Sequence, residues 1–383
     1  MALAVPPGGT PPPPEPRLDS LLLPNLPSVS VSLDNDTHRR RTAPAAPIIT
    51  VVIVNFCQWR NTARLVGQLR QSLALRNGEA EIVIIDNHSP SHPVIRKLEQ
   101  QRGVTIRRFS RNLGFARAVN RGVSEPHPRG KTSQESEPSD WVLLLNPDVT
   151  VNEGFLDDAV TAVEKHTAMD PTAGVVGFRL LNADGSSQAS SGSFPTLFST
   201  LSGLLFPRSR RKCSHRPEPT RQPVGWVTGG CLLVRRDCFQ QLNGLDESFF
   251  LYYEDVDFCQ RATTAGWSIW FDPSLQVTHH WPLHVRRVTA PLRLMTRHAL
   301  LTYTRKHWSL WQARVMSGMV WTEAALRQGW AALRGDWDTS HCYGQLRRLV
   351  GDVSASRDKN VRRRIRYAAA YLDPVAAEQD GRT

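Results

Sequence analysis

The chain has 383 residues, of which 40% are hydrophobic, and a formal net charge of +12, so it can bury a large core and is not a disordered polymer. Its pI near 9.9 predicts an acidic partner: nucleic acid, an anionic membrane surface or a phosphorylated small molecule. The N-terminus lacks the pattern of a secretion signal, and no run reaches the roughly 18 apolar residues of a membrane span, which predicts a cytoplasmic protein.

The first 46 residues are rich in proline and end in a charged patch, a composition that cannot bury enough apolar surface to offset chain entropy. We therefore predict a disordered tail over 1–46, a folded domain over 47–289 and a basic helical extension over 290–383. Six cysteines lie along the chain without a CxxC pair, which favours reduced core thiols over disulfides or a zinc site. They are Cys57, Cys213, Cys231, Cys238, Cys259 and Cys342.

From residue 48, short β-branched runs alternate with amphipathic helical patterns. Strands are predicted at IITVVIVNF, EIVIIDN, VTIRRF, WVLLLNPDV, AGVVGFRL, GWVTGGCLLVRR and SIWFDPSLQVTHH. Helices are predicted at TARLVGQLRQSLAL, PVIRKLEQQ, GFARAVNRG, NEGFLDDAVTAVEKH and around DCFQQL. The alternation is typical of βαβ units and predicts an α/β fold, with a mostly parallel sheet buried on both faces by helices.

Two polar segments interrupt this pattern. The segment at 125–139 predicts an exposed loop, and Asn182–Pro223, with its basic stretch Arg208–Arg221, predicts a long mobile loop near the site. Beyond residue 290, Leu, Trp and Met recur at helical spacing between Arg and Lys. This pattern indicates a pair of basic amphipathic helices that dock either on the core or on a membrane surface.

Polar side chains follow two predicted strands at the edge where α/β folds bind ligands. Asp86 and Asn87 end one strand, where a carboxylate can accept hydrogen bonds from a sugar or a base, although an Asx turn or helix cap explains them equally well. Asn146-Pro147-Asp148 ends another strand, and Asp148 there is either a hard ligand for Mg²⁺ or Mn²⁺ or part of an ordinary turn.

The segment RNLGFARAVN opens a helix with a cation and a glycine directly after a strand, which suits a phosphate at a helix N-terminus. It is neither GxGxxG nor a P-loop, and Gly114 could simply serve a turn. His279 and His280 end the last predicted strand and could reach the same edge as ligands or phosphate contacts.

Three acids follow an apolar run in FFLYYEDVDFCQR. If a helix starts near Glu254 and ends at Gly266, Asp257 and Arg261 lie four apart on one face and pair. Asp255 has no basic residue three or four positions later. Stabilisation of the helix dipole is the simple explanation for Glu254 and Asp255, but the aromatic run would raise a carboxyl pKa toward the range of a general base.

In chain order, the strings VVIVNF, IIDNHS, RNLGFARAVNRG, LLLNPDV, GWVTGGCLLVRR, GLDESFFLYYEDVDFCQRATTAGW and VTHH resemble the family 2 glycosyltransferases, in particular their bacterial rhamnosyltransferase-like branch. The resemblance implies a GT-A fold, a nucleotide-diphosphate sugar donor with dTDP-rhamnose as the family-level expectation, and a Mg²⁺ or Mn²⁺ ion. It also implies inverting transfer to a hydroxyl of a glycan or lipid-linked glycan in surface polysaccharide synthesis. Peripheral contact with an anionic membrane is predicted by the basic charge and the amphipathic helices beyond residue 290.

The resemblance also assigns roles to residues of this sequence. Nucleotide and donor binding fall to Asp86, Asn87, Arg111, Asn112, Gly114, Asn120, Thr228, Gly229 and Gly230. Asp148 and His279 become metal ligands, Asp255 the catalytic base and Glu254 its catalytic neighbour. The metal element offers one acid, because it is Asn-Pro-Asp.

Two other classes of function compete with this interpretation. A non-catalytic nucleotide-sugar-binding protein would keep the pocket and lose turnover through the altered metal element. A nucleic-acid-binding protein is supported by charge alone, since the basic patches lack a recognised aromatic-basic motif, and we predict no nucleic-acid partner.

Overall fold

The computed structural model describes residues 48–124, 140–205, 220–281 and 288–371, all within one compact unit that spans Pro44–Thr383. The predicted tail at 1–46, the polar insertion at 125–139, most of the basic stretch and Cys213 lie outside the described residues. The five other cysteines are buried free thiols, as predicted.

Strands are assigned in chain order within these ranges. They are β1 (Ile49–Asn55), β2 (Ala80–Asp86), β3 (Val104–Arg108), β4 (Trp141–Leu145), β5 (Val149–Thr150), β6 (Ala173–Leu181), β7 (Ser187–Gln188), β8 (Ser191–Gly192), β9 (Gln222–Pro223), β10 (Trp226–Val227), β11 (Cys231–Arg235) and β12 (Ser268–His279). Ten of these described strands form one sheet, while β8 and β10 form a separate antiparallel pair.

The large sheet has the order β3-β2-β1-β4-β11-β6-β12-β5, with β7 on β6 and β9 on β12. From β3 to β4 the strands are parallel, and β6 and β12 are parallel to each other. Strand β11 lies antiparallel between β4 and β6. The predicted mostly parallel sheet is confirmed, and the reversal at β11 was not predicted.

Helices cover both faces of the sheet and continue beyond it. They are α1 (Trp59–Leu69), α2 (Leu73–Asn77), α3 (Val94–Glu99), α4 (Phe115–Ser124), α5 (Phe155–Met169), α6 (Leu197–Leu205), α7 (Arg236–Gln241), α8 (Glu254–Thr264), α9 (Ala290–His307), α10 (Leu310–Leu333), α11 (Trp337–Ser354) and α12 (Asp358–Ala370).

The continuous apolar runs of the strands follow from burial on both faces. In β1, Ile49, Val51 and Ile53 enter the core on one face of the sheet. Val52 and Val54 alternate with them and enter the core on the other face. Side chains alternate across a strand, so a strand between two layers of helices needs apolar residues at every position.

Three predicted elements differ from the structure. The helix predicted over 62–75 is broken between α1 and α2, because the Asp157 carboxylate accepts hydrogen bonds from the Leu73 and Ala74 N–H groups and starts a new helix there. The strand predicted at GWVTGGCLLVRR is two strands, interrupted at 228–230. The predicted loop at Asn182–Pro223 contains β7, β8, α6 and β9.

The predicted helical pair is a group of four, α9 to α12, with an apolar core of its own. Phe250, Leu251 and Tyr253 pack against this core. They belong to the stretch FFLYYEDVDFCQR, which we call the acidic segment. Of the two predicted docking modes, the structure therefore shows the one on the α/β core. Among the helices described, none combines the length and apolar character needed to cross a bilayer.

Asp257 joins the two groups of helices. Its buried carboxylate accepts a hydrogen bond from Arg261 Nε at 2.7 Å, which confirms the predicted pair. It also lies 2.7 Å from His307 Nε2 and 2.8 Å from Lys306 Nζ, both in the last turn of α9. Burial alone would raise the pKa of Asp257, but His307, Lys306 and Arg261 outweigh burial and lower it.

We expect Asp257→Asn to lower the free energy of unfolding by about 3 kcal/mol at neutral pH, because it removes the buried negative charge that binds Arg261, Lys306 and His307. The folded pKa lies below the ordinary value of 3.8, so the stabilisation is present above pH 3.8 and is lost as pH falls through the folded pKa. Urea unfolding measured across pH tests this.

The matched control is Asp338→Asn, which changes an exposed acid in the first turn of α11. We expect it to stay within about 0.5 kcal/mol of the wild type. Equal losses of unfolding free energy in both variants would contradict a stabilising role for the Asp257 carboxylate between α8 and α9.

Candidate active site

Several chain segments meet at one edge of the sheet because of the direction of β11. Strands β2, β4 and β12 all end at this edge. Strand β11 runs the opposite way and begins there: Cys231 pairs with Leu145, and Asn146 N donates to Gly230 O at 3.2 Å. The reversal thus brings residues 228–230 to the ends of the parallel strands, where α/β folds bind ligands.

The acidic segment reaches this edge through a strained turn. Tyr252 and Tyr253 have φ values of 73° and 66°, in the left-handed region that bulky residues avoid. Tyr253 packs on Tyr303 of α9 with ring centroids 5.3 Å apart, and Phe115 N donates to Phe250 O at 2.7 Å. These contacts hold the turn, and α8 begins directly after it at Glu254.

Asp255 lies against residues 228–230. Its Oδ2 accepts a hydrogen bond from Gly229 N at 2.8 Å and its Oδ1 accepts one from Val256 N at 2.8 Å. The Thr228 hydroxyl also bonds to this carboxylate. Burial raises the pKa of Asp255 above its ordinary value, although these hydrogen bonds oppose the rise. The carboxylate is therefore oriented and more basic than an exposed aspartate.

Glu254 has a different environment from its neighbour. It is 6% exposed, and its Oε2 has no hydrogen-bond partner among the described residues. Burial, and then the charge of Asp255, raise its pKa well above the ordinary value of 4.5. Asp255 accepts hydrogen bonds from two backbone N–H groups, whereas Glu254 Oε2 accepts none from the described residues, and this difference favours ionisation of Asp255 before Glu254.

The two predicted metal ligands lie side by side. His279 Nε2 is 3.4 Å from Asp148 Oδ1, and both residues are buried. His280 faces elsewhere, with its Nε2 3.0 Å from Thr150 Oγ1. In the described ranges there is no group of three or more His, Cys, Asp or Glu residues that could hold a metal ion. An ion here would take two protein ligands and fill its other positions from a bound ligand and water.

Asp148 and His279 form a corner of the candidate site, and Gln188 of β7 lies beside His279 there. The sequence did not predict a role for Gln188. Its Nε2 lies 3.2 Å from His279 Nδ1, while its buried Oε1 has no hydrogen-bond partner in the described chain. With the amide turned over, Oε1 would accept a hydrogen bond from Nδ1–H and leave Nε2 of His279 as a ligand. The residues therefore fit a hard divalent ion with one oxygen and one nitrogen donor.

Residues 228–230 connect Asp255 to the corner formed by Asp148, His279 and Gln188. Gly229 binds Asp255 through its N–H group. A Cβ atom on Gly230 would lie 3.9 Å from His279 Cε1 and 3.8 Å from Asn146 Nδ2. The structure therefore brings together the predicted Thr228, Gly229, Gly230, Asp148, His279, Asp255 and Glu254.

Asp86 is held by its own chain. Its Oδ1 accepts hydrogen bonds from Asn55 Nδ2 at 3.2 Å and Ser89 N at 3.0 Å, and its Oδ2 accepts one from Arg108 Nε at 2.9 Å. The turn interpretation left open by the sequence thus describes the local geometry. The Arg108 side chain is 41% exposed and covers the carboxylate from the solvent side. Contact of Asp86 with a nucleotide base stays a prediction.

Asn87 braces the loop that precedes α4. Its Oδ1 accepts a hydrogen bond from Leu113 N at 2.8 Å, and its Nδ2 donates to Asn112 Oδ1 at 3.0 Å. Gly114 has a φ of 87°, and a Cβ atom there would lie 2.7 Å from Phe250 O, so only glycine fits. Arg111 is exposed beside this loop. The loop is thus fitted against the acidic segment.

Asn120 makes its contacts away from these groups. Its Oδ1 accepts a hydrogen bond from Leu245 N and its Nδ2 donates to Leu245 O, both at 2.8 Å. A donor-binding role for Asn120 stays a prediction, and its observed contacts fix the segment before the acidic run to α4.

The sequence and the fold were then compared with known proteins. A family model described as "Glycosyltransferase like family 2" matches residues 45–300. The N-acetylglucosaminyl-diphospho-decaprenol L-rhamnosyltransferase of Mycobacterium tuberculosis is 32% identical over 240 residues, which cover 61% of this chain and 76% of that protein. The low-salt glycan biosynthesis hexosyltransferase Agl10 of Haloferax volcanii is 27% identical over 243 residues, covering 62% of this chain and 69% of that protein.

Among solved structures, GalNAc-T7 with UDP, GalNAc and Mn²⁺ is similar with a TM-score of 0.46 and 17% identity. The similarity covers 67% of this chain and 48% of that one.

We expect Glu254→Gln to be at least as stable as the wild type at pH 7. In the folded chain the pKa of Glu254 is raised well above its ordinary value of 4.5, so the burial of Glu254 costs stability as pH rises above 4.5. Glutamine removes this cost, and the two proteins should converge below pH 4.5. Urea unfolding across pH measures the difference, and a variant clearly less stable than the wild type at pH 7 would show that Glu254 is ionised and paired.

Proposed function

Since the chain belongs to glycosyltransferase family 2 and has the GT-A fold, we propose that it transfers a sugar, with inversion, from a nucleotide-diphosphate donor to a hydroxyl of a glycan or lipid-linked glycan in surface polysaccharide synthesis. One observation carries the proposal. Residues 228–230 contact the oriented carboxylate of Asp255 on one side and approach the Asp148–His279 pair on the other.

The donor and acceptor classes follow from the relatives. The Mycobacterium tuberculosis relative is named as a rhamnosyltransferase for an N-acetylglucosaminyl-diphospho-decaprenol acceptor. We accordingly propose a rhamnose donor, in first place dTDP-rhamnose, and an acceptor sugar on a diphospho-lipid. A lipid-linked acceptor places the reaction at a membrane surface. The cytoplasmic location stays a prediction.

The chemistry requires one base in a single displacement. The acceptor hydroxyl oxygen attacks the anomeric carbon from the face opposite the leaving diphosphate, and its proton passes to Asp255. The new glycosidic C–O bond forms as the bond to the nucleoside diphosphate breaks, which inverts the configuration. The N–H groups of Gly229 and Val256 hold the carboxylate in place. The raised pKa of Glu254 disfavours a second negative charge beside it.

A divalent ion fits the corner formed by Asp148 and His279, with Gln188 orienting the imidazole. When bound, Mg²⁺ or Mn²⁺ supplies positive charge that stabilises the leaving diphosphate. Arg111, exposed beside the loop that precedes α4, would contribute a further positive charge on the nucleotide side.

The proposed function is tested by incubating the purified protein with a panel of nucleotide-diphosphate sugars and a diphospho-lipid acceptor, and measuring nucleoside diphosphate release. We expect release from one donor class in Mg²⁺ or Mn²⁺, and its loss on adding a chelator. No release with any donor and acceptor would contradict the proposal. Tight donor binding without release would favour the non-catalytic nucleotide-sugar-binding alternative.

A pair of variants tests the assignment of the base. We expect Asp255→Asn to lower kcat by about 10³-fold because it removes the proton acceptor, while donor affinity is retained. Glu254→Gln should lose less than about tenfold, since glutamine keeps the shape of a carboxyl group whose raised pKa disfavours its charged form. Kinetics and calorimetric donor titration on both variants measure this, and equal losses would contradict the division of roles between the two acids.

A further inference from the structure

Helix α10 carries apolar residues on two opposite faces. The face toward α9 and α11 is formed mostly by small residues. Its buried members are Ala313, Met316, Val320, Ala324 and Ala331. The opposite face carries larger apolar residues, which we call the outer stripe. Its members are Trp311, Val315, Leu326, Trp330 and Leu333, with exposed fractions of 61%, 42%, 71%, 60% and 84%.

The outer stripe reverses the usual arrangement of a helix on a folded domain. Such a helix turns its large apolar residues inward and polar residues outward. Here alanine occupies three of the five buried positions. On the exposed side, Leu326, Trp330 and Leu333 follow one another at spacings of four and three residues, which places them on one face. At 24 residues, α10 extends about 36 Å, so the stripe is long as well as apolar. Exposed apolar surface of this extent marks an interaction site.

Exposed arginines lie near both ends of the stripe, and the exposed acids Asp336 and Asp338 follow the arginine at its C-terminal end. Exposed Arg314 lies on α10, and the Arg334 guanidinium lies 4.6 Å from the ring centroid of Trp330. Glu323, the one acid of α10, faces α9 and binds Arg293 and Arg297 there.

The whole helical group, α9 to α12, carries an excess of positive charge. Residues 290–371 contain fifteen Lys and Arg against five Asp and Glu. Ten of the twelve net positive charges of the chain thus belong to this segment.

We propose that the outer stripe is a membrane-binding face that inserts into the headgroup region of an anionic phospholipid bilayer, with α10 parallel to the membrane plane. Tryptophan and leucine on one side with arginine at the rim is the composition of interfacial helices, in which indole rings lie at headgroup depth and arginines contact lipid phosphates. The positive charge disfavours a second copy of this chain as the occupant, because pairing through the stripe would bring two basic surfaces together.

The membrane face is rigidly connected to the candidate active site. Helix α10 packs on α9, and α9 is bound to α8 through Asp257 with Lys306 and His307. Attachment through α10 would therefore fix the orientation of Asp255 relative to the bilayer. The value of this arrangement for a lipid-linked acceptor rests on the proposed function, whereas membrane binding itself requires no turnover.

The test is co-sedimentation of the full chain with large vesicles, either phosphatidylcholine alone or phosphatidylcholine with phosphatidylglycerol. We expect binding to the anionic vesicles, and a loss of at least about tenfold in the variant Trp330→Ser/Leu333→Ser. The control, Leu73→Ser/Met169→Ser, changes two residues outside the helical group that are 58% and 59% exposed, and it should bind as the wild type does. Circular dichroism confirms that each variant is folded.

Three results would overturn the proposal. They are no binding to anionic vesicles, equal binding by the stripe variant and the wild type, and a concentration-dependent dimer that the stripe variant abolishes without any vesicle binding.

Nucleoside diphosphate release from donor and acceptor, measured without vesicles, separates this proposal from the proposed function. A stripe variant that keeps this release and loses vesicle binding supports the membrane face. Vesicle binding by a protein that gives no release with any donor and acceptor would contradict the proposed function and leave the membrane face standing.

Discussion

The buried carboxylate of Asp257 is the interaction on which the rest of the arrangement depends. It lies on α8, the same helix as the proposed base. It binds Arg261 four residues further along α8 and His307 fifty residues further along the chain, on α9. Buried charge is stable only when it is paired, so the carboxylate determines where α9 docks. Once α9 is docked, Tyr303 supports Tyr253, and the strained turn that aims Asp255 is held.

The candidate site depends on the different environments of two adjacent carboxyl groups. Glu254 and Asp255 are adjacent in sequence and share one helix turn, yet the backbone N–H groups of Gly229 and Val256 reach only the second. Two ionised carboxyl groups on adjacent residues would repel each other. The Gly229 N–H group, in the segment that directly precedes the reversed strand β11, favours ionisation of Asp255, and burial raises the pKa of Glu254 beside it.

Much of the fold was predictable because its signals are local. Continuous β-branched runs predicted the strands, and four-residue spacing predicted the Asp257–Arg261 pair.

The partners Lys306 and His307 were not predicted, since about fifty residues separate them from Asp257 and no local pattern connects them. Gln188 was missed because its segment has a loop-like composition, although pairing with β6 makes it a strand. The helical extension was predicted over 290–383, but the number of its helices was underestimated, because α11 and α12 add polar and basic residues to the apolar spacing that identified α9 and α10. Asn120 matched a motif, but its amide is bound to the Leu245 backbone.

The left-handed turn at Tyr252 and Tyr253 has a consequence for the order of folding. A strained backbone persists only while its surroundings hold it, and here the support includes Tyr303, fifty residues closer to the C-terminus than Tyr253. The sheet and its two apolar cores are complete by the end of β12, before that support has been synthesised. During translation the edge where β2, β4 and β12 end would therefore form early, and Asp255, the proposed base, would be positioned late. A nascent chain would pass through a stage in which this edge is present and Asp255 is not yet held in place.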